Sequence, residues 1–95
     1  MSKVIEKAVE ALSARAGKGF DGVAKFVFAG EGTIMFDAAG ARAADEPADV
    51  TLTASTDVFA ALLAGELSAA SAFMSGKLTV DGSMGLAMKL GQVLA

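Results

Sequence analysis

The sequence predicts one small α+β domain in which a sheet is covered by a layer of helices. Runs near residues 23–29, 33–37 and 50–54 alternate apolar with polar side chains, which is the period of half-buried strands. Later in the chain, segments at 56–64 and 84–94 place apolar residues at helical spacing. Antiparallel hairpins followed by helices are typical of the two-layer α+β class, and 95 residues make a single domain.

An amphipathic helix is predicted over residues 2–16, with Ser2 as its N-cap and Gly17 at its end. Its apolar face consists of Val4, Ile5, Ala8, Val9 and Leu12. We expect this face to dock on the domain. The helix lacks the aromatic residues and the strongly basic polar face of a helix that lies on a membrane surface.

The first hairpin brings large apolar side chains to one face of the sheet, with a glycine-rich connection at 29–32. The residues that alternation places together are Phe26 and Phe28 in the first strand and Ile34 and Phe36 in the second. Met35 lies on the opposite face. A third, short strand is expected near 41–44, although alanine is a poor strand former.

The segment 45–49 contains three carboxylates and the only proline. A calcium loop would need a glycine-hinged ligand spacing, which is missing here. We therefore predict a solvated loop, with the strand at 50–54 following it.

Serines precede the three helices of the second half, at Ser55, Ser68 and Ser83, where a side-chain oxygen can accept a backbone N–H. A strand is predicted at 77–81, between Gly76, which is placed as a left-handed helix end, and Gly82, which turns the chain. The last helix carries an apolar surface rich in methionine and leucine: Met84, Ala87, Met88, Leu90, Gly91 and Leu94. Methionine adapts to irregular or exchangeable partners, so this helix is expected to lie on something apolar.

The composition excludes several classes of function. Histidine, cysteine, tyrosine, tryptophan and asparagine are absent, which removes disulfides, thiol nucleophiles, the common zinc sites and histidine-based catalysis. We therefore expect no enzyme, no metal and no cofactor. A net charge of −3 with dispersed basic residues also argues against a nucleic-acid partner. The hydrophobic fraction of 54% leaves three alternatives open: a solid core, a lined cavity or an oligomer interface.

One stretch of the chain is specific enough to suggest a family. The order G-K-L-T-V-D-G-S-M-G-L-A-M-K-L at 76–90 closely resembles the lipid-binding domain of the sterol carrier protein-2 family. The segments A-D-V-T-L-T-A at 48–54 and D-V-F-A-A-L-L-A-G-E-L at 57–67 resemble it in the same order, so the resemblance covers roughly residues 26–92.

The resemblance implies a five-stranded, mostly antiparallel sheet with helices on one face and an apolar tunnel between the two layers. Periodicity shows only which faces point inward. From the tunnel that the resemblance implies and the inward faces that periodicity shows, we expect a set of apolar side chains to line the tunnel. These are Phe26, Phe28, Ile34, Phe36, Phe59, Leu62, Phe73, Met84, Met88 and Leu90. Gln92, near the end of the last helix, is the candidate contact for a polar head group.

The function that follows is non-enzymatic binding and intracellular transfer of a lipid: a fatty acid, a fatty acyl-CoA, a sterol-like molecule or a phospholipid. Transient membrane contact would suit such a carrier, whereas stable insertion is not expected. The alternative is an interaction module whose apolar face is buried in a homodimer without a lipid. The chain ends without the peroxisomal S-K-L-type signal, and together with the composition this predicts a free-standing bacterial, cytoplasmic member.

Overall fold

The computed structural model describes residues 3–15 and 19–94, and within them a five-stranded sheet is covered on one face by four helices. Along the chain the elements are α1 (Lys3–Arg15), β1 (Ala24–Phe28), β2 (Gly32–Asp37), β3 (Gly40–Ala43), β4 (Val50–Ala54), α2 (Thr56–Leu63), α3 (Ala69–Met74), β5 (Thr79–Gly82) and α4 (Met84–Leu94). The strands lie in the order β3-β2-β1-β4-β5. The predicted α+β class and mostly antiparallel sheet are confirmed.

The central strand β1 pairs differently with its two neighbours. Phe26 lies opposite Ile34 of β2 in an antiparallel pair and opposite Leu52 of β4 in a parallel one. The parallel pair arises because the chain leaves β3 at one edge of the sheet and returns on the far side of β1. The connection at 44–49 makes that crossing.

The inner face of the sheet carries a packed aromatic core. The ring of Phe59 on α2 stands edge-on to Phe26, with centroids 5.8 Å apart, and stacks on Phe28 at 4.3 Å. The predicted register of β1 is therefore confirmed, because its phenylalanines, and not Lys25 and Val27, face the helices. The other helices contribute buried residues to the same cluster, namely Ile5, Ala8 and Leu12 of α1, Ala72 of α3 and Leu90 of α4. The apolar face of α1 thus docks on the domain as expected.

The acidic connection 44–49 is tied to the strands of the sheet by ion pairs. Lys25 and Arg42 are the cross-strand neighbours of Met35. Lys25 pairs with Asp45 at 2.8 Å, and Arg42 pairs with Glu46 at 2.8 Å. Both ion pairs therefore start from neighbours of Met35, which is 0% exposed. The carboxylates are exposed as predicted for a solvated loop, but two of them also anchor the loop to the sheet.

Some predicted boundaries were wrong by one or two residues. The strand predicted at 77–81 begins only at Thr79, because the backbone N–H groups of Lys77 and Leu78 both donate to the carbonyl of Ala72 and so complete the end of α3. The strand β3 begins one residue early, at Gly40, which pairs with Asp37 across a tight turn. The predicted cap at Ser2 and the predicted helix end at Gly17 lie outside the described residues.

Candidate functional site

The starts of α3 and α4 are determined by capping serines, and the turn into α4 is made by a glycine. The Ser68 hydroxyl accepts the backbone N–H of Ser71, and the Ser83 hydroxyl accepts that of Leu86 at 3.3 Å, so each serine caps its helix as predicted. Gly82, with φ of 99°, turns the chain from β5 into α4. A Cβ there would collide with the carbonyl oxygen of Asp49, so only glycine allows the end of β5 to approach the start of β4 this closely.

An open groove of about 430 Å³ lies between α3 and α4 above the β4–β5 edge of the sheet; we call it the α3–α4 groove. Its lining is apolar except for one side chain and consists of Leu52, Ala69, Ala70, Phe73, Leu78, Val80, Met84, Ala87, Met88, Gly91 and Gln92. The helices approach closely at one end, where a Cβ on Gly91 would lie 3.6 Å from that of Ala69. Small residues on both helices therefore leave the space open above the strands.

Four of the predicted site residues surround this groove. Phe73, Met84, Met88 and Gln92 line it, and the first three are 45%, 51% and 70% exposed. Gln92 is also exposed and is the only polar side chain in the lining. Such placement lets a ligand contact these side chains without a rearrangement of the core.

The other predicted lining residues lie in the solid core. Phe26, Phe28, Ile34, Phe36, Phe59, Leu62 and Leu90 are all buried there. The space among the phenylalanines of β1, Ile34, Phe59 and Leu62 amounts to about 10 Å³, room for one water at most. The aromatic rings fill it by stacking on one another. Phe28 also borders a second open space, between α1 and α2, whereas the other six residues line neither open space of the described chain that could hold an acyl chain. The contact of all seven with a ligand stays a prediction.

Several groove residues were absent from the predicted lining. Leu78 and Val80 form part of the floor, although their alternation had already placed them on one side of the strand. Ala69, Ala70 and Ala87 line the walls. Their short side chains leave the space between the helices unfilled, and a search for small residues at facing helical positions could have found them.

A second open space, of about 420 Å³, lies between α1 and α2 and includes Val4, Lys7, Ala11, Ala60 and Ala64 in its lining. The two helices are tied at one end, where Arg15 Nε donates to the carbonyl of Leu63 at 2.6 Å. We call this space the α1–α2 groove. It differs from the α3–α4 groove in having a lysine in its wall and, within the described chain, no exposed large hydrophobic residue around it.

The carboxylate with a lowered pKa, Asp37, lies away from the α3–α4 groove. A hydrogen bond from Arg42 holds the pKa of Asp37 below its ordinary value, and a second one from the backbone of Ala39 acts in the same direction. Asp37 belongs to β2 and Arg42 to β3, and these strands lie at the opposite edge of the sheet from β5. In the described residues, no group of three or more acidic, histidine or cysteine side chains could hold a metal, and no helix is long and apolar enough to cross a membrane.

The fold and the groove together define a class of protein: a small α+β domain that presents an apolar groove between its helices and its sheet. Within that class, the chain belongs to the SCP-2 sterol transfer family, whose model matches residues 3–95. The resemblance carried by the motif at 76–90 is thus confirmed.

Individual relatives agree with this assignment. The chain is 43% identical over 82 residues to hydroxysteroid dehydrogenase-like protein 2 of Danio rerio, a match that covers 78% of this chain and 20% of that protein. It therefore spans about a fifth of that relative's length. Among solved structures, Aedes aegypti sterol carrier protein-2 in complex with palmitate has a TM-score of 0.80 at 24% identity and covers 100% of this chain and 97% of its own. Palmitated SCP2L2 from Aedes aegypti has a TM-score of 0.73 at 25% identity, and the match covers 99% of this chain and 95% of that one.

Proposed function

We propose that the protein is a non-catalytic carrier that binds a single-chain lipid, of the fatty-acid type, in the α3–α4 groove and transfers it within the cell. The observation that carries this proposal is the groove itself, which is open and apolar and has one polar side chain in its lining. Membership in the SCP-2 family and the likeness to a palmitated relative support a lipid as the ligand. Cytoplasmic localisation remains a prediction from the sequence.

The groove suits a flexible acyl chain in size and in chemistry. Its volume of about 430 Å³ lies at the lower end of the range found for ligand pockets, roughly 300–1,000 Å³. Each methylene group that leaves water for an apolar lining contributes roughly 0.8 kcal/mol, so ten of them contribute about 8 kcal/mol before ordering costs. Met84 and Met88 can adjust their rotamers to chains of different length.

Gln92 is placed to orient the ligand. Its amide can donate a hydrogen bond to a carboxylate while the acyl chain extends along the groove over Leu78 and Val80. Replacement by leucine removes that donor and keeps an apolar stem. We expect Gln92→Leu to weaken fatty-acid binding roughly threefold to tenfold without lowering the thermal unfolding temperature.

A pair of tryptophan substitutions tests which groove binds the lipid. Met88→Trp fills the α3–α4 groove, whereas Ala60→Trp places the same side chain in the wall of the α1–α2 groove, also at an exposed helical position. In a titration with a fluorescent fatty acid, we expect Met88→Trp to lower affinity by at least about tenfold and Ala60→Trp by less than about twofold. The reverse order would assign the lipid to the α1–α2 groove.

The alternative function is a homodimeric interaction module without a lipid. It predicts the mass of a ligand-free dimer, whereas the carrier predicts the mass of a monomer with a bound lipid. Native mass spectrometry of the purified protein separates the two functions. A monomer with a copurifying lipid supports the carrier. A ligand-free dimer that takes up no added fatty acid would contradict it.

A further inference from the structure

We propose that Met84 and Met88 are modification sites, at which hydrogen peroxide oxidises the thioether sulfur to a sulfoxide and so lowers the affinity of the α3–α4 groove for a lipid. The inference rests on the proposed function, because it concerns the lining that binds the acyl chain. Three observations carry it: the composition of the chain, the exposure of its methionines and their spacing on α4.

The first observation is which side chains peroxide can attack. Cysteine and methionine are the side chains whose sulfur atoms are oxidised in defined steps. The chain contains five methionines and no cysteine, and it also lacks histidine, tyrosine and tryptophan. The reaction of this protein with peroxide is therefore a reaction of methionine, and its product is the sulfoxide.

The second observation is how the methionines of the described residues differ in exposure. Met35 is 0% exposed, whereas Met84 and Met88 are 51% and 70% exposed. Peroxide in water can therefore reach the two methionines of α4 but not Met35 while the protein is folded. Met74 is 85% exposed and does not line the groove. It serves as an internal reference for oxidation outside the lining.

The reaction is balanced by peroxide alone. The thioether sulfur attacks one peroxide oxygen, an S–O bond forms, and the O–O bond breaks. The sulfur loses two electrons and the peroxide gains them. The proton on the transferred oxygen passes to the leaving oxygen, which becomes water. One sulfoxide and one water are formed for each peroxide, so the step needs no further reactant.

The third observation is the spacing of the groove-lining side chains along α4. Met84, Met88 and Gln92 follow one another at intervals of four residues, so neighbouring members of this row lie side by side on one helix face. All three line the groove. The oxygen of an oxidised Met88 can accept a hydrogen bond from the amide of Gln92. That bond would withdraw the amide from the lipid head group that we propose it to orient.

Oxidation therefore opposes lipid binding in two ways. An acyl chain that covers a sulfoxide removes a polar group from water, and burying a polar group without a partner is unfavourable. Where the sulfoxide pairs with Gln92, the head group instead loses its donor. Conversely, a bound acyl chain covers the sulfur atoms of Met84 and Met88 and should slow their oxidation. The empty carrier is thus the form that peroxide inactivates.

The α1–α2 groove provides a contrast within the same molecule, because its lining contains no methionine. Oxidation should leave a ligand bound there unaffected. The effect of peroxide on lipid binding is therefore specific to the α3–α4 groove.

Peroxide treatment of the whole chain, followed by titration with a fluorescent fatty acid, tests the proposal. Mass spectrometry of peptides locates the sulfoxides, and circular dichroism shows whether the treated protein is folded. We expect the oxidised wild type to bind the fatty acid at least about tenfold more weakly than the untreated protein. Methionine sulfoxide reductases, one for each sulfoxide epimer, should restore the affinity because they regenerate the thioether.

Two leucine variants separate the methionines of the lining from the exposed one outside it. Each variant is compared with itself before and after peroxide, so any effect of leucine on the starting affinity cancels. Met84→Leu/Met88→Leu has no oxidisable side chain in the lining and should lose less than about twofold of its affinity. Met74→Leu should lose affinity as the wild type does, since Met74 lies outside the lining.

Protection by the ligand is a separate measurement on the wild type. Bound fatty acid should slow sulfoxide formation at Met84 and Met88 by at least about threefold and at Met74 by less than about twofold, because oxidation follows access to the sulfur. Equal rates at all three methionines with and without fatty acid would contradict the proposal.

The outcomes distinguish this inference from the proposed function. Unchanged affinity after sulfoxides have formed at Met84 and Met88 would overturn the inference and leave the carrier intact. The same holds if the double leucine variant loses as much affinity as the wild type, if Met74→Leu abolishes the loss, or if the loss accompanies unfolding. Absence of fatty-acid binding before any treatment would overturn the carrier and this inference with it.

Discussion

The aromatic core and the α3–β5–α4 region use apolar side chains in opposite ways. In the core, Phe26, Phe28 and Phe59 fill space by ring contacts and leave room for one water at most. In the α3–β5–α4 region, Phe73 and Met88 stand around a groove of about 430 Å³ with much of their surface in water. Both regions are rich in hydrophobic residues, so composition alone does not distinguish them.

The contrast separates stability from binding within one small domain. Side chains in the core contact other side chains on every side, so removing one leaves a cavity. The exposed side chains around the groove, such as Met84 and Met88, have fewer such contacts and can be exchanged at little cost. The helix α4 belongs to both regions, since Leu90 packs in the core on one flank and Met88 lines the groove on the other.

The largest effect is expected at the centre of the core. Phe59→Ala removes the ring that packs against both Phe26 and Phe28 and should lower the free energy of unfolding by about 3–5 kcal/mol. Chemical denaturation followed by circular dichroism measures this loss. A loss below about 1 kcal/mol would mean that the neighbouring rings move to fill the gap, contrary to a closely packed core.

A smaller difference is expected between two positions on α4. Leu90→Ala should cost about 2–5 kcal/mol of unfolding free energy because Leu90 is fully buried. Met88→Ala should cost less than about 1 kcal/mol because Met88 is 70% exposed. Both variants lose a long side chain from the same helix, so the difference between their unfolding free energies reports the effect of burial. Equal losses would show that both flanks of α4 are ordinary core.

The smallest effect concerns the ion pair at the far edge of the sheet. Asp37 accepts hydrogen bonds from Arg42 at 3.0 Å and from the backbone N–H of Ala39 at 2.9 Å, which lower its pKa in the folded state. A depressed folded pKa stabilises the protein above the unfolded value of about 4, and this stabilisation is lost as the pH falls through the folded pKa. Asp37→Asn should therefore show a shallower fall of the unfolding temperature on acidification below about pH 4.

The exposed carboxylate Asp81 on β5 provides the matched control for that experiment. Asp81→Asn should keep the slope of the wild type in the same acid range. Parallel curves for all three proteins would mean that the bond between Asp37 and Arg42 does not contribute to stability, and the groove predictions would stand unchanged.

The amino-acid sequence by itself determined the secondary structure and the inward faces of the sheet. Alternation placed Phe26 and Phe28 together, because successive side chains of a strand point to opposite faces. Ser68 and Ser83 mark helix starts, and Gly82 marks a turn, because caps and left-handed turns depend on the residue at one position and its immediate neighbours. The family was likewise readable from the motif at 76–90.

Only the tertiary structure decided where open space lies. Periodicity identifies an apolar face but not what that face meets, so it could not tell that Phe59 fills the space beneath Phe26 whereas nothing fills the space beside Met88. That outcome depends on how α3 and α4 pack, because short side chains such as that of Ala69 leave the space between the helices unfilled. The complete burial of Met35, which alternation had placed on the face opposite Ile34 and Phe36, was likewise decided by the tertiary structure, because alternation does not show what covers a face.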